Sequence, residues 1–350
     1  MKTDRNRWLF ISGRNFGDAL LVRCLVNAVL RSKPRAEIHV LGRPQHRYIL
    51  LDGVDGAVFH AAQFPMGTTK GFSLVEAREL WGTMSRLRRL RFDICVNNSG
   101  DIRESLLGKL SGASENFGPI WEPGHPYRRL IRAAGVRYLL DDTVSVPSSC
   151  PNVYDAHLKM ARSLGEADLC LDDLVSGFGR TLKRRAEHVG LHPSATQECR
   201  LWPRDKWIEL AERLLALGLE VSVFGSEGER AQLRTEFGHL VERERFSICV
   251  GGLESFLRAL SGIGVMVALD SFAMHAAFFG GCRVVVINGA NDSRIWAPPG
   301  SVVLENGGSC PRYPCYNSPS CGDGLVGLYS CIRAIPVERV LEKVVAASAI

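Results

Sequence analysis

The sequence predicts two consecutive α/β units, each a parallel sheet with flanking helices, and three observations predict it. A chain of 350 residues and 38.5 kDa is long for a single core but fits two domains of about 150 to 175 residues. Short apolar runs alternate with segments of helical period, the pattern of βαβ units. The alternation breaks once, through the Gly- and Pro-rich stretch 111–150 and the aperiodic stretch 165–179, and then resumes. A boundary near residue 170 is therefore expected, giving units 1–170 and 171–350.

The opening unit is strand, loop, helix: Trp8 to Ile11, then Leu20, Leu21, Cys24, Leu25, Ala28 and Val29 at helical spacing within Asp18 to Arg31. Ile38 to Leu41 reads as a strand, Tyr48 to Leu51 as a short helix, and Ala57 to Phe59 as a third strand. Leu74 to Leu90 follows as a helix and Phe92 to Asn97 as a buried strand. After the break, Val153 to Leu164 is helical.

The second unit runs from strand His188 to Leu191 into helix Pro203 to Leu217, with Gly218 placed to cap it. Strands Leu219 to Phe224, Phe246 to Val250, Val265 to Leu269 and Arg283 to Ile287 alternate with helices over 227–237, 253–260 and 271–280. Pro336 to Ala347 closes the chain as a helix, with Pro at its first turn. In such sheets ligands bind outside the carboxyl ends of the strands. The loops 12–18, 192–200, 225–229, 270–275 and 288–292 all follow strands and are expected to converge on one cleft.

Hydrophobic residues make up 46% and charged residues 23%, the composition of a globular protein. A net charge of +6 is too small to indicate nucleic acid, and no nucleic-acid partner is expected. Basic residues gather locally at Arg86, Arg88, Arg89 and Arg91, at Arg128, Arg129 and Arg132, and at Lys183 to Arg185. Each cluster suits a solvated face, or an anionic acceptor or membrane surface. No apolar run reaches the 18 to 20 residues of a membrane span, and Met1 to Arg7 leads directly into a strand, so a cytoplasmic protein is expected. Seven of the eleven cysteines are scattered, mostly through apolar segments, and read as buried thiols.

Two loops carry chemistry. Residues 191–203, Leu-His-Pro-Ser-Ala-Thr-Gln-Glu-Cys-Arg-Leu-Trp-Pro, place two hydroxyls and an arginine before a helix start, the parts of an anion-binding helix N-terminus. Residues 12–18, Ser-Gly-Arg-Asn-Phe-Gly-Asp, again join a strand to a helix but bring a carboxylate. A loop that holds phosphate and a loop that holds a base together suggest group transfer.

His192-Pro193-Ser194-Ala195-Thr196 followed by Arg200-Leu201-Trp202-Pro203 resembles the HPGAS…KRWP signature of the heptosyltransferase family of GT-B glycosyltransferases. Asp270-Ser271-Phe272-Ala273-Met274-His275 is similar to that family's NDSGPMH, Gly17-Asp18 to its amino-terminal GD, and Asn288 to Asp292 with Trp296 to its FGPTDPxxW. The resemblance spans nearly the whole chain. It implies a GT-B fold of two Rossmann-like domains facing a central cleft, the first binding acceptor and the second nucleotide sugar. It further implies inverting transfer of a sugar, most often heptose from ADP-heptose, to a hydroxyl of a glycan or lipopolysaccharide-core acceptor, with no metal needed for the chemistry.

By the same resemblance Asp18 is the general base, a position where an aspartate also serves as a helix N-cap. Ser194, Thr196, Arg200, Asp270, Ser271 and His275 become donor-binding, Arg200 standing where the family has lysine, and Glu229 is placed for the nucleoside ribose. Arg14 and Asn15 are assigned to the acceptor, Arg14 compensating for Ser12, where most members carry a basic residue. Phe272 replaces a glycine that lets backbone approach the donor, which points to a reshaped phosphate pocket. The acceptor is expected to be an anionic glycan or glycolipid, with peripheral contact to the cytosolic face of the inner membrane through the Arg86 to Arg91 region.

Cys310, Cys315, Cys321 and Cys331, spaced C-x4-C-x5-C-x9-C in a loop rich in Pro, Gly and Ser, suit either a structural zinc or iron site or free, redox-active thiols. Two other functions are compatible with the architecture. One is a nucleotide-sugar epimerase; the other is a non-catalytic nucleotide-sugar-binding or redox-sensing protein built around the four cysteines.

Overall fold

The computed structural model describes residues 7–65, 72–174, 185–306, 308, 310–316, 319, 321 and 327–348. The chain divides into two compact units, Met1–Gly177 and Phe178–Ile350. The basic cluster Lys183 to Arg185 falls largely outside the described residues.

The first unit is a six-stranded parallel sheet of β1 (Arg7–Ser12), β2 (Glu37–Gly42), β3 (Val58–Ala61), β4 (Ile94–Asn97), β5 (Glu115–Trp121) and β6 (Asp142–Val146). The strand order is β3-β2-β1-β4-β5-β6. Trp8, Leu9, Phe10 and Ile11 are all buried, as a strand at the centre of a two-sided sheet requires. Among the described residues six α-helices accompany the sheet: α1 (Phe16–Ser32), α2 (Arg47–Leu51), α3 (Leu74–Arg88), α4 (Ile102–Leu110), α5 (Val153–Leu164) and α6 (Leu171–Leu174). Helix α1 packs against α5 and α6, while α3 packs against α4. Helix α3 opens with a reciprocal cap: the Ser73 hydroxyl accepts the Glu76 N–H at 3.2 Å and the Glu76 carboxylate accepts the Ser73 N–H at 2.7 Å.

Two strands, β5 and β6, lie within the Gly- and Pro-rich stretch whose pattern predicts no element. Pro119 in the middle of β5 argues against a central strand. It is tolerated because β4 pairs with β5 only through residues 115–117, short of Pro119.

The second unit repeats the plan with β7 (Arg185–His192), β8 (Glu220–Ser226), β9 (Phe246–Gly251), β10 (Ile263–Leu269), β11 (Arg283–Ile287) and β12 (Val302–Leu304), ordered β12-β11-β10-β7-β8-β9. Its α-helices are α7 (Arg204–Ala216), α8 (Arg230–Phe237), α9 (Leu253–Ala259), α10 (Phe272–Phe279), α11 (Ser293–Trp296), α12 (Ser330–Arg333) and α13 (Val337–Ser348). The core gathers Val189, Leu191, Trp207, Val221, Val267 and Val344 from strands β7, β8 and β10 and helices α7 and α13. Gly218 stops α7 with φ +77°, a conformation that favours glycine. The three-residue strand β12 is too short for a periodic signal.

Both sheets reverse direction at one point. In the first, β1 leads toward β2 and β4 toward β5 on opposite sides; in the second, β7 leads toward β8 and β10 toward β11. Loops leaving such a pair of strands diverge and open a crevice at the carboxyl edge. The loops after β1 and β4, and those after β7 and β10, are therefore where each unit can bind a ligand.

Candidate functional site

In the first unit, Gly13 lets the loop after β1 pass close to the core, since a Cβ there would lie 2.9 Å from the Phe64 ring. Arg43 braces that loop by donating from Nε to the carbonyls of Gly13 and Arg14, both at 3.1 Å. Ser12 is buried and its hydroxyl has no partner. The next turn starts α1, where Asp18 does two things. One carboxylate oxygen accepts the Asn15 N–H at 3.1 Å, which caps the helix, and the other lies 3.7 Å from the Arg14 guanidinium. The capping role and an available carboxylate thus coexist on one residue.

Arg14 also reaches Asp101, on the loop after β4, at 3.5 Å. Its side chain is only 13% exposed, so it sits among carboxylates rather than projecting into solvent, whereas Asn15 is exposed. Burial would strip the Arg14 proton, but Tyr127, Asp18, Glu104 and Asp101 around it outweigh that and hold the guanidinium charged. Asp101 is held below the ordinary carboxylate range: burial opposes ionisation, but bonds from Arg103 and the Arg132 N–H prevail. Glu104 is different. It is fully buried, and burial pushes its carboxyl up to about 7 although Ser99 donates to it and Arg14 is near. His157, buried and bonded to Val153 O and Asn98, is driven down to about 4 by burial and is neutral at pH 7. The sequence pattern singled out Asp18, Arg14 and Asn15; Asp101, Glu104, Tyr127 and His157 join them from the loop after β4 and from segments far along the chain.

In the second unit, the predicted anion loop leaves β7 at His192, and its Glu198–Arg200 part is a turn of 3-10 helix. Trp202 anchors the loop: it is buried, meets Trp207 edge-on at 5.2 Å and donates to Ile335 O at 3.0 Å. Arg200 then extends toward the loop after β10. Its guanidinium donates to the Asp270 carbonyl at 3.3 Å and stands 3.8 Å from the Asp270 carboxylate. Asn291, after β11, donates from its amide to the same carboxylate. Burial raises the Asp270 pKa, with Arg200 and Asn291 opposing. Asn291 belongs to a stretch whose family resemblance was legible, but its partner was not.

Ser271 is the N-cap of α10, yet its buried hydroxyl has no partner. A helix start with an unsatisfied buried hydroxyl, next in sequence to the Asp270 that Arg200 meets, is suited to an anion. His275 is buried one turn into α10, and burial lowers it to about 4, so it is neutral there. The Phe272 ring packs 6.1 Å from Phe256, which also meets His192 and Phe224 at 5.6 Å. Thr196 is exposed and Ser194 half-buried on the same loop. Glu229 caps the turn after β8 by accepting the Ser226 N–H at 2.8 Å. Burial pushes its pKa up, but hydrogen bonds from Ser194 and Ser226 and the nearby His192 more than offset this and keep it low.

The four clustered cysteines come together. Cys310, Cys315, Cys321 and Cys331 line one pocket with Cys199, the residue next to Arg200, and with Tyr329. Burial is the main cause of a raised thiol pKa at Cys315, to about 11, with Cys199, Cys331 and Cys321 adding to it. Among the described residues, no group of three or more His, Cys, Asp or Glu side chains is arranged to hold a metal ion.

Two parallel α/β units, each with loops of this kind at its switch point, have the architecture of the GT-B class. Residues 82–321, more than half of the chain, match the model of glycosyltransferase family 9 (heptosyltransferase), and the chain belongs to that family. The fold is similar to that of the Escherichia coli ADP-heptose lps heptosyltransferase II (18% identity, 98% of each chain, TM-score 0.65). It is similar also to E. coli heptosyltransferase WaaC with ADP (13% identity, 97% of this chain and 99% of that one, TM-score 0.71). A glycosyl transferase family 9 protein from Veillonella parvula DSM 2008 is comparable (15% identity, 99% and 98%, TM-score 0.70). No curated protein matches the sequence.

Proposed function

We propose that this glycosyltransferase transfers heptose, with inversion, from ADP-heptose to a hydroxyl of an anionic glycan or lipopolysaccharide-core acceptor. In this reading the first unit takes the acceptor and the second the nucleotide sugar. The observation that carries it is the second-unit site, where Arg200, the unpartnered Ser271 hydroxyl and the start of α10 stand at the divergence of β7 and β10. Such a site holds a diphosphate and stabilises it as it leaves.

The chemistry follows from the groups present. The acceptor hydroxyl attacks the anomeric carbon from the face opposite the diphosphate, forming the new C–O bond as the bond to phosphate breaks. Asp18 takes the hydroxyl proton. The bonding electrons leave with the diphosphate, whose growing charge meets Arg200 and the first-turn N–H groups of α10. Asp270, held by Asn291, is positioned to accept hydrogen bonds from sugar hydroxyls, and Glu229 to accept them from a ribose. Arg14 and Asn15 flank Asp18 on the acceptor side.

The cysteine pocket enters this reading as a structural device. Its thiols have the ligand chemistry of zinc or iron, and the loop they close is joined through Cys199 to Arg200. No catalytic step passes through it.

Thermal stabilisation by nucleotides tests the donor assignment, because a ligand of the native state raises its stability. ADP and ADP-heptose are expected to raise the melting temperature of the wild type and to do so far less in Arg200→Ala. Stabilisation by UDP or GDP alone would replace the donor, and an unchanged response in Arg200→Ala would remove that residue from the site.

A further inference from the structure

The outer surface of the first unit carries an apolar pattern that the transfer site does not use. Of the ten large hydrophobic side chains most exposed among the described residues, five lie in one layer: Leu74, Val75, Trp81, Leu106 and Tyr138. Leu74, Val75 and Trp81 are on α3, Leu106 is on α4, and Tyr138 is on the 3-10 turn Val136–Leu139. These elements are neighbours, since α3 packs on α4 and α4 on that turn.

Helix α3 shows what the layer presents. Its inner face buries Leu80, Thr83, Met84 and Leu87. At 100° per residue, the opposite face is centred on Leu74, Arg78, Trp81, Ser85, Arg88 and Arg89, all exposed. No carboxylate falls within it: Glu79 lies at its flank and Glu76 is turned into the Ser73 cap. Trp81 is 63% exposed and Leu74 90%, and on this face their helical neighbours are Arg78, Ser85 and Arg88. Exposed Arg132 and Arg137 accompany Tyr138. The basic cluster expected at Arg86 to Arg91 is thereby resolved: Arg88 and Arg89 belong to this face, while Arg86 turns back to the Thr83 hydroxyl at 2.9 Å.

We infer that this face of α3, continued over α4 and the Tyr138 turn, is a docking surface for an anionic phospholipid bilayer. The combination matches such an interface and matches few others. Tryptophan, tyrosine and leucine insert their apolar parts at headgroup depth, and arginines bind lipid phosphates while their stems stay in the apolar zone. A soluble anionic glycan would be served by the arginines but would leave Trp81 and Leu74 in water. The inference deepens the proposed function by naming the surface on which a lipid-linked acceptor is met, but it does not require that function to hold.

The test uses the full chain with sonicated vesicles of phosphatidylglycerol or of phosphatidylcholine, read by co-sedimentation and tryptophan emission. Trp81 is the only exposed one of the six tryptophans, so a blue shift on binding reports this face. Binding to phosphatidylglycerol, weakened by salt and absent with phosphatidylcholine, is expected. Trp81→Ser should abolish the blue shift, and the triple change Arg78→Glu, Arg88→Glu, Arg89→Glu should lower affinity roughly a hundredfold. The triple change Arg234→Glu, Arg243→Glu, Arg339→Glu, an equal charge change at exposed positions of the second unit, should leave it within about twofold. All four positions changed on α3 and its C-cap are exposed, and unchanged melting temperatures would show that the variants fold.

Three outcomes overturn the inference: no binding to phosphatidylglycerol, equal binding by the α3 variants, or a wild-type dimer that Trp81→Ser dissociates, which would assign the face to a second copy of the chain. Nucleotide stabilisation is read separately on the same samples. A loss of vesicle binding with nucleotide response intact would leave the proposed transferase standing.

Discussion

Asp18 and Glu104 show how two carboxyl groups in one neighbourhood acquire different chemistry. Asp18 accepts a backbone N–H and faces Arg14, and in the proposed reaction it takes the acceptor proton. Asp18→Asn should therefore lower the turnover number by roughly a hundred- to ten-thousand-fold while leaving ADP affinity unchanged. Loss of ADP binding in that variant would make the residue structural. Glu104 has one oxygen bonded to Ser99 and the other buried without a partner. Its folded pKa, about 7, lies above the value of about 4.3 expected in the unfolded chain. A carboxyl raised in this way stabilises the fold while protonated, fully so below the unfolded pKa, and that contribution is lost as pH rises through about 7. Between about pH 4 and about pH 8 the wild type should lose on the order of 3 kcal/mol relative to Glu104→Gln, measured by urea unfolding. Parallel pH profiles for the two proteins would show that Glu104 titrates normally.

At the scale of elements, loops do the chemistry because the strands beneath them hold their ends apart at fixed spacing. The loop after β7 is pinned at its far end by Trp202, and it carries Arg200 to Asp270 and Cys199 to the cysteine pocket on adjacent residues. A metal bound by these thiols would stiffen the loop that presents Arg200. Purified protein is then expected to contain zinc or iron in stoichiometric amount, to lose it in Cys315→Ser, and to lose with it part of its thermal stability. Metal-free protein with full stability and full nucleotide response would leave the thiols without that role.

For the whole molecule, the chain divides into two compact units, and the proposed function assigns the acceptor to the first and the nucleotide sugar to the second. Hydrogen exchange can read that division directly. ADP should slow exchange over residues 192–204 and 270–276 in the second unit and leave the loop after β4 unchanged. Protection centred on residues 12–18 and 98–104 instead would assign the nucleotide to the first unit.

The sequence by itself determined the alternation of strands and helices, and with it two parallel sheets, because hydrophobic period is a local property that each segment carries alone. It also marked Asp18, Arg200, Asp270 and the four cysteines, since those sit in short motifs of contiguous residues. It did not reveal β5 or β6, where Gly118 and Pro119 mask the strand signal and only pairing with neighbours rescues it. Nor could it place Glu104 and Asp101 beside Arg14, Asn291 on Asp270, or Cys199 among the clustered thiols, because those contacts join loops after different strands. Which loops meet is decided by the strand order of each sheet, a long-range arrangement that no local window of residues encodes. The same holds for the Trp81 face: an apolar residue every turn of a helix reads as core until the tertiary structure shows which side of the helix faces the sheet.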